Sequence, residues 1–594
     1  MFYDIVMPKE VLRIANCSGF YGDRLSAARE MVEGGPIDVL TGDYLAELTL
    51  MILYKDRQKD PHAGWAKTFL RQMEEVLGTC LDRGIKIVTN AGGLNPAGLA
   101  QELRRLSQRL GLSARIAHIE GDDILPRLAE LQAQGHELRH LDKGIPLREL
   151  RAQVVTANAY LGGWGIAEAL KRGADVVVCP RVTDAALVVG PAAWHFGWRR
   201  DDWDRLAGAV VAGHIIECGP QCTGGNYSFF REVPNIERIG FPIAEMHEDG
   251  SCVITKHPGT GGLVSVGTVT AQLLYEIQGP QYFNPDVTAR FDTIRLQQEG
   301  PDRVRITGVR GEPPPPTTKV CINYLGGYRN SVTFVLTGLD IEEKAQIAEQ
   351  TLWHLVGGKE RFAEVHVDLV RWDRPNPARN EEAFAYLTVA VKDPDPAKVG
   401  RAFTNKAIEM ALANYPGFFV THPPTDASPY GVFWPTLLPS ELVAHRVVFE
   451  EAAAVDVPPV AAPASAPQID VPVVDLPPVP EGEVVRAPLG LIAGARSGDK
   501  GGNANVGLWT HRPAAYAWLR QYLTTERFRE LVPEARHLDV ERYEFPNLLA
   551  LNFVVRGLLG DGVAASTRMD PQAKSFGEYV RAKLADIPRA LLAG

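Results

Sequence analysis

The feature that most constrains the fold of this chain is one theme that repeats along residues 11–179. A short run of apolar, mostly β-branched residues ends at a cluster of Gly, Asn, Asp, Ser or Thr, and a segment with helical periodicity follows. This alternation predicts an α/β fold whose mostly parallel sheet carries helices on both faces, with a closed eight-stranded barrel as the alternative. The five runs are VLRIA (11–15), IDVL (37–40), IKIVT (85–89), ARIAHI (114–119) and ADVVVC (174–179).

The sequence predicts four segments. Residues 1–249 form the α/β domain. In residues 250–449, longer alternating runs such as EVHVDLV and AFAYLTVAV enclose two helical segments, which predicts an α+β region with antiparallel pairing, packed with the first domain. Residues 450–488 are rich in Pro and Ala and predict an extended linker, unless their Val and Leu side chains dock on the main body. Residues 489–594 form a small C-terminal α+β domain.

Composition excludes several classes of function. Lys and Arg number 62 against 72 Asp and Glu, so the net charge is −10, and no basic block indicates a nucleic-acid-binding surface. No apolar run reaches the roughly 18 residues of a membrane helix, and the N-terminal stretch lacks the pattern of a secretory signal. Seven cysteines are too sparse for a disulfide framework. We expect a cytoplasmic protein that binds neither nucleic acid nor a membrane, and a homo-oligomer, as large enzymes often are.

Ligands bind a parallel sheet at the edge where its strands end and the next helices point their free N–H groups. Five loops reach that edge, one of them residues 120–123. Each loop has an ordinary explanation in helix capping and tight turns, but the convergence of five favours a site. The loops supply the candidate ligand-binding residues Ser18, Gly19, Asn90, Gly92, Gly93, Asn95, Arg181 and Thr183, and the candidate catalytic residues Asp43 and Asp184.

Two of these loops indicate a chemistry. Gly92 and Gly93 would let backbone N–H groups approach an anion or an oxyanion. They lie in neither a GxGxxG nor a GxxxxGK[ST] motif, so no nucleotide cofactor is indicated. Arg181 offers a cation for a carboxylate or phosphate and Asp184 a carboxylate for proton transfer, with a structural ion pair between them as the alternative.

Two Gly-rich segments follow the five loops, at residues 217–226 and 256–262. In the 217–226 segment, Glu217 is an acid–base candidate, and Cys218 is a nucleophile only if its surroundings lower its pKa. Cys218 and Cys222 lack a second ligand pair at zinc spacing, so no metal is predicted. In the second, Lys256 and Gly261 suit either an anion-binding helix start or a tight turn.

The C-terminal domain contributes the last candidate loop. Arg496, Asp499, Lys500 and Asn503 lie among three glycines, directly after the apolar run LGLIAGA. Such a loop would bring cations to an anionic ligand at the junction with the main body. A solvated charged loop is the alternative.

Taken together, several motifs resemble the acyclic terpene utilisation protein A family, and the resemblance covers essentially the whole chain. It implies a ferredoxin-like C-terminal domain and a part in the breakdown of acyclic terpenes and related branched acids as coenzyme A thioesters. Neighbouring steps in such pathways are carboxylation, hydration and carbon–carbon cleavage. The motifs are NCSGFYGDR (16–24), IDVLTGDYLAELT (37–49), TNAGGLNP (89–96), CPRVTDAAL (179–187), HPGTGGLVSVGTVTAQLLYEI (257–277) and ARSGDKGGNANVG (495–507).

These observations lead to a first hypothesis, a lyase or hydratase that acts on an acyl-CoA-type thioester. Asp184 or Glu217 would move the proton, and the two glycine N–H groups of the 90–96 loop would stabilise an enolate oxygen. No cofactor is expected beyond coenzyme A as part of the substrate. We expect Arg181, Lys256, Arg496 and Lys500 to form a local positive site for this anionic small molecule.

Two other hypotheses stay open. The chain could be a non-catalytic ligand-binding or assembly subunit that serves partner enzymes of the same pathway. It could also be a metal hydrolase that uses Cys218 and Cys222.

Overall fold

The computed structural model describes residues 10–450, 452–461 and 468–592. The first nine residues, which enter the argument about a secretory signal, and linker residues 462–467 lie outside the described residues. The chain divides into two compact units. The large unit comprises Met1–Asn323, Phe433–Val563 and Asp570–Gly594, and the small unit comprises Tyr324–Val432 and Ala564–Met569. No division between units falls at the predicted boundary near residue 250.

The five apolar runs at the start of the chain are strands, as predicted. They form the parallel centre of a sheet that has eleven strands in the described residues, with Val176–Val178 between the third and fourth strands of the chain. In sheet order they are Val11–Asn16, Val39–Gly42, Lys86–Thr89, Val176–Val178 and Ile116–Glu120.

The outer strands of this sheet are antiparallel, so the prediction of a mostly parallel sheet is correct for its centre only. Short turns cause the difference, because two strands joined by a hairpin can only pair antiparallel. Gly250, with φ +85°, makes the turn between the first two outer strands. The outer strands are Pro242–His247, Cys252–Lys256, Arg303–Thr307 and Arg295–Gly300 on one side and Arg446–Phe449 and Val455–Asp456 on the other.

Helices cover both faces of the sheet, as predicted. Neighbouring strand residues such as Val39 and Leu40, or Val177 and Val178, belong to two different hydrophobic cores, because successive side chains of a strand point to opposite faces. The helices of the large unit before the C-terminal domain are Ala27–Glu33, Glu47–Lys59, Lys67–Arg83, Pro96–Arg109, Leu128–Ala133, Trp164–Lys171, Ala186–Phe196, Trp203–Ile216 and Val266–Leu273.

The C-terminal part of the large unit is an α+β fold around its own core. An antiparallel sheet holds, in order, Gly494–Lys500, Asn503–Trp509, Ala550–Val555 and Val540–Phe545, and Val484–Pro488 pairs with Leu584–Pro588. Leu476 and Val479 of the Pro-rich segment pack against this core, so the segment is not a free spacer at these positions. The helices are Pro513–Tyr522, Thr525–Leu531, Phe576–Arg581 and Arg589–Leu592.

The small unit has the antiparallel α+β character predicted for this stretch. Glu364–Arg371 and Phe384–Asp393 pair with each other, and the second also pairs with the strand Thr317–Thr337. The helices Ile341–Val356, Pro396–Val399 and Arg401–Glu409 contribute to one hydrophobic core. Across the described residues of both units, no helix is long and apolar enough to cross a membrane.

Candidate functional site

The loops at the carboxyl edge of the parallel strands lie against one another, as the topology predicts. The Asp43 backbone N–H donates to the Ser18 carbonyl oxygen over 3.0 Å. This hydrogen bond joins the loop that contains Ser18 to the loop that contains Asp43. Asn90 of the third loop accepts from the Tyr44 N–H at 2.7 Å and donates to Asp43 Oδ1 at 2.6 Å. The Arg181 N–H donates to Asp122 Oδ2 over 3.2 Å. Asn90 therefore orients the Asp43 carboxyl.

The buried helix Trp203–Ile216 delivers Glu217 and Cys218 to the same edge. Its residues from Leu206 onward are all buried, so its C-terminal end lies inside the unit. Asn16 Nδ2 donates to the Glu217 carbonyl oxygen over 3.3 Å. A Cβ on Gly19 would lie 2.7 Å from the Cys218 carbonyl carbon, so Gly19 allows the first loop to approach this backbone.

Asp43 and Glu217 are buried carboxyls whose surroundings favour the protonated form. Burial raises the pKa of both well above the usual range, and the neighbouring Asp184 raises both further. His214 Nδ1 lies 3.4 Å from Glu217 Oε1, but burial and the Lys500 charge lower the histidine pKa to about 4. The neutral His214 therefore supplies no positive charge to Glu217, and burial favours the form of Glu217 that can donate a proton.

Arg181 and Asp184 form an ion pair at 2.7 Å, which is the alternative that the sequence left open for these two residues. Burial would lower the pKa of Arg181, but Asp184, Tyr160 and Glu47 raise it well above the usual value, so the guanidinium stays charged. The guanidinium carbon lies 4.2 Å from the centre of the Tyr160 ring. This edge of the sheet thus holds an ion pair close to two carboxyls, Asp43 and Glu217, whose protonated forms are favoured by burial. The Oγ1 atom of Thr183 is buried there without a partner among the described residues.

The hairpin Gly494–Trp509 brings charged residues of the C-terminal domain to this place. The guanidinium carbon of Arg496 lies 4.4 Å from the centre of the Tyr275 ring. Burial is the main cause of the raised pKa of Glu217, and the Lys500 charge acts in the opposite direction. Burial, followed by Glu276, raises the pKa of Asp499 to about 7.

Asn505 anchors the hairpin to the main body. Its Oδ1 accepts from the Glu276 N–H over 2.8 Å, and its Nδ2 donates to the Leu274 carbonyl oxygen over 3.0 Å. Asn552, on the next strand, donates to the carbonyl oxygens of Ile277 and Gln278. These buried amides fix the charged hairpin over the sheet edge.

Sequence reasoning missed Glu276 and Lys574 as site residues. Glu276 adds to the rise in the pKa of Glu217, and Lys574 Nζ lies 3.4 Å from Glu276 Oε1 and also bonds the Tyr275 hydroxyl. The signal for Glu276 is weak: a carboxylate that directly follows a buried apolar helix. We call the assembled set the polar site, and it consists of Asp43, Arg181, Asp184, Glu217, Glu276, Arg496, Asp499, Lys500 and Lys574.

Lys256 and Gly261 lie outside the polar site, which corrects the prediction that Lys256 joins the local positive site. Lys256 Nζ bonds the Thr260 carbonyl oxygen at 2.9 Å and Asp302 at 3.0 Å. A Cβ on Gly261 would lie 2.1 Å from the Asn235 carbonyl oxygen. The tight-turn interpretation of this segment is therefore correct.

Asn95 and Asn503 have structural partners. Asn95 caps the helix Pro96–Arg109 by accepting from the Gly98 N–H at 2.9 Å. Asn503 donates to Asp142 at 2.8 Å and accepts from the Gly557 N–H at 2.9 Å. Both amides are committed to the fold.

The prediction that the N–H groups of Gly92 and Gly93 stabilise an oxyanion is also wrong. The Gly92 N–H donates to the Cys179 carbonyl oxygen and the Gly93 N–H to the Asn90 carbonyl oxygen, each over 3.1 Å. Because both donors are already engaged, neither can stabilise a negative charge on a ligand.

The cysteines do not have the surroundings of a nucleophile. Burial, followed by Glu217, raises the pKa of Cys218 well above the usual value, which is the opposite of what a thiolate needs. Cys222 is buried and contacts the Gly219 carbonyl oxygen. Among the described residues, no group of three or more His, Cys, Asp or Glu side chains could hold a metal ion.

Two family models match the chain. The model described as acyclic terpene utilisation family protein AtuA matches residues 12–449, which is well over half of the chain. The model described as AtuA ferredoxin-like domain matches residues 487–584. Together the two matches include every residue of the polar site, and the Pro-rich segment lies between them. No curated protein matches the chain.

Proposed function

Because this chain belongs to the acyclic terpene utilisation (AtuA) family, which implies a role in terpene catabolism, we propose that its polar site transfers protons on an acyl-CoA-type thioester. The reaction is a hydration, its reverse, or a carbon–carbon cleavage of a branched acyl chain. The observation that carries the proposal is the arrangement of carboxyls. Burial and the neighbouring Asp184 raise the pKa of both Asp43 and Glu217, which favours their protonated forms, and Asp184 itself is paired with Arg181 at 2.7 Å. Two carboxyls in different surroundings can have different pKa values, and one then serves as an acid and the other as a base in the same site.

In the hydration, Asp184 accepts a proton from water as the water oxygen bonds to the β-carbon of an enoyl thioester. The electron pair of the double bond moves to the α-carbon, which takes a proton from Glu217. In a cleavage, the same base removes the proton of a β-hydroxyl group, and the same acid protonates the carbanion that leaves. The Lys500 charge, which opposes the rise in the pKa of Glu217, stabilises the enolate that forms in the hydration, its reverse or the cleavage.

Turnover of a branched enoyl-CoA by the full chain tests this proposal, measured as the loss of the conjugated thioester absorbance. Glu217→Gln keeps the shape of the side chain but cannot donate the proton, so we expect the rate to fall about 100-fold or more. Glu245→Gln is the matched control, since Glu245 pairs with Arg303 at 2.7 Å on an outer strand. Full turnover by both Glu217→Gln and Asp184→Asn would eliminate the acid–base assignment.

The second hypothesis is a non-catalytic binding or assembly subunit. The same turnover assay of the pure full chain distinguishes it from the enzyme. That hypothesis expects the pure chain to bind the thioester and leave it unchanged, with turnover only when partner enzymes are added. A thermal-shift screen of coenzyme A esters and branched acids reports binding under both hypotheses, because a ligand of the native state raises the melting temperature. We also propose a homo-oligomer, which light scattering of the pure chain tests directly.

A further inference from the structure

Arg496 is a buried cation with an unused edge. Its side chain lies on the strand Gly494–Lys500, and the residue is only 6% exposed. The Nε and Nη2 atoms are shielded from solvent, and neither donates a hydrogen bond to any described residue. These two atoms form one side of the planar guanidinium, so the unused donors lie next to each other.

The position of Arg496 places that edge in the polar site. Burial raises the pKa of both Cys218 and Tyr275, and the Arg496 charge opposes the rise in each. Cys218 directly follows Glu217 in the chain, and Tyr275 directly precedes Glu276. The guanidinium carbon also lies 4.4 Å from the centre of the Tyr275 ring, so Arg496 belongs to the polar site.

The Tyr275 ring contacts the face of the Arg496 guanidinium, but it leaves the Nε and Nη2 donors without acceptors. A buried charge with unused donors is unfavourable, because it has lost its hydration and gained no hydrogen bonds at that edge in return. The carboxylates nearby are already matched by other cations. Asp184 pairs with Arg181 at 2.7 Å, and Glu276 Oε1 lies 3.4 Å from Lys574 Nζ. For the buried carboxyls Asp43 and Glu217, burial raises the pKa and so favours the uncharged form. An anionic ligand would therefore complete the environment of Arg496.

We propose that the Nε–Nη2 edge of Arg496 binds a free carboxylate of the substrate through two parallel hydrogen bonds. The substrate is then an acid whose acyl chain carries an ionised carboxylate in addition to the thioester. This inference rests on the proposed function, since it places the ligand in the same site. A carboxylate is favoured over a phosphate because its two oxygens match the two donors in one plane, and because it is small enough for a buried position.

Isothermal titration of the full chain with glutarate, its diamide and inorganic phosphate tests the proposal. We expect glutarate to bind with saturation and the other two to bind at least about tenfold more weakly. Arg496→Gln should weaken glutarate binding at least about tenfold, and Arg496→Lys should also weaken it, because an ammonium lacks the fork. Arg303→Lys, on an outer strand, should bind like the wild type. Absence of saturable glutarate binding, equal binding by Arg496→Gln, or a preference for phosphate would overturn the proposal.

Melting of the ligand-free variant is an independent measurement. If the edge of Arg496 serves a ligand, Arg496→Gln should melt at the same temperature as the wild type or higher, because removing a buried charge with two unused donors offsets the loss of its contact with the Tyr275 ring. A clear fall would show a structural role and would overturn the proposal. Arg496-dependent glutarate binding without turnover would uphold this assignment and reject the enzyme. Turnover with a KM that Arg496→Gln leaves unchanged would uphold the enzyme and reject the assignment of a carboxylate to Arg496.

Discussion

Asp499→Asn should stabilise the protein, and more strongly as the pH rises. The Asp499 side chain is 17% exposed, and burial followed by Glu276 raises its pKa from the usual 3.8 to about 7, although Lys574 lies 4.0 Å away. The unfolded chain releases this proton near pH 3.8, whereas the folded chain keeps it to about pH 7. The folded state therefore binds more protons between these values, and the free energy of unfolding falls as the pH rises through them.

The shift of about three pH units corresponds to about 4 kcal/mol, of which about 3 kcal/mol falls between pH 5 and pH 8. Asparagine carries no charge at any pH, so the variant avoids this loss. Thermal melting of both proteins at pH 5 and pH 8 measures the effect, and the melting temperature of Asp499→Asn should exceed that of the wild type by more at pH 8. The control is Asp586→Asn, whose carboxylate is 55% exposed. A difference that stays constant with pH, or a wild type that is the more stable protein at pH 8, would refute the reasoning.

Three further predictions concern the walls of the site. Gly19→Ala should destabilise the fold by about 1–3 kcal/mol in chemical denaturation, because its Cβ would lie 2.7 Å from the backbone of Cys218. The control is Gly78→Ala, which should not destabilise the fold, because Gly78 lies in a helix and the nearest atom to its Cβ would be 3.8 Å away. The Cys218 thiol is partly exposed, but its raised pKa should make it react with iodoacetamide at pH 7 far more slowly in the native protein than in the unfolded chain, and equal rates would contradict the raised pKa. Asn505→Ala should lower the free energy of unfolding by roughly 2–5 kcal/mol, since it leaves the Glu276 N–H and a buried carbonyl oxygen without partners; an unchanged denaturation midpoint would show that the amide does not anchor the hairpin.

Hydrophobic patterning predicted the centre of the fold because it acts over short distances along the chain. All five apolar runs are strands and lie side by side, and the loops that follow them meet at one edge. The outer antiparallel strands were not predicted as part of that sheet, since which edge a hairpin joins depends on contacts between distant segments. Arg303–Thr307, for example, falls in the stretch predicted as an α+β region packed with the first domain, and it extends the large sheet of that domain.

The same limit explains the candidate site. Asp43, Arg181, Asp184 and Glu217 follow strands or a buried helix, so topology places them together. Lys574 meets Glu276 across 298 positions of sequence, and no local pattern records that distance.

Residue type alone also misassigned several candidates. A glycine pair resembles an anion-binding loop whether or not its N–H groups are free, and in this protein Gly92 and Gly93 use theirs within the fold. A lysine beside glycines resembles a binding site until its partner is known, and for Lys256 that partner is Asp302. Whether a donor is free depends on contacts that only the folded chain specifies.

The most direct test of the account is whether Glu217 holds a proton near neutral pH. Infrared difference spectroscopy of the wild type against Glu217→Gln at pH 7 reports this, because a protonated carboxyl has a carbonyl stretching band that a carboxylate lacks. The wild type should show this band, Glu217→Gln should lose it, and Glu245→Gln should keep it. A wild-type spectrum in which Glu217→Gln removes only carboxylate bands would contradict the proposed acid.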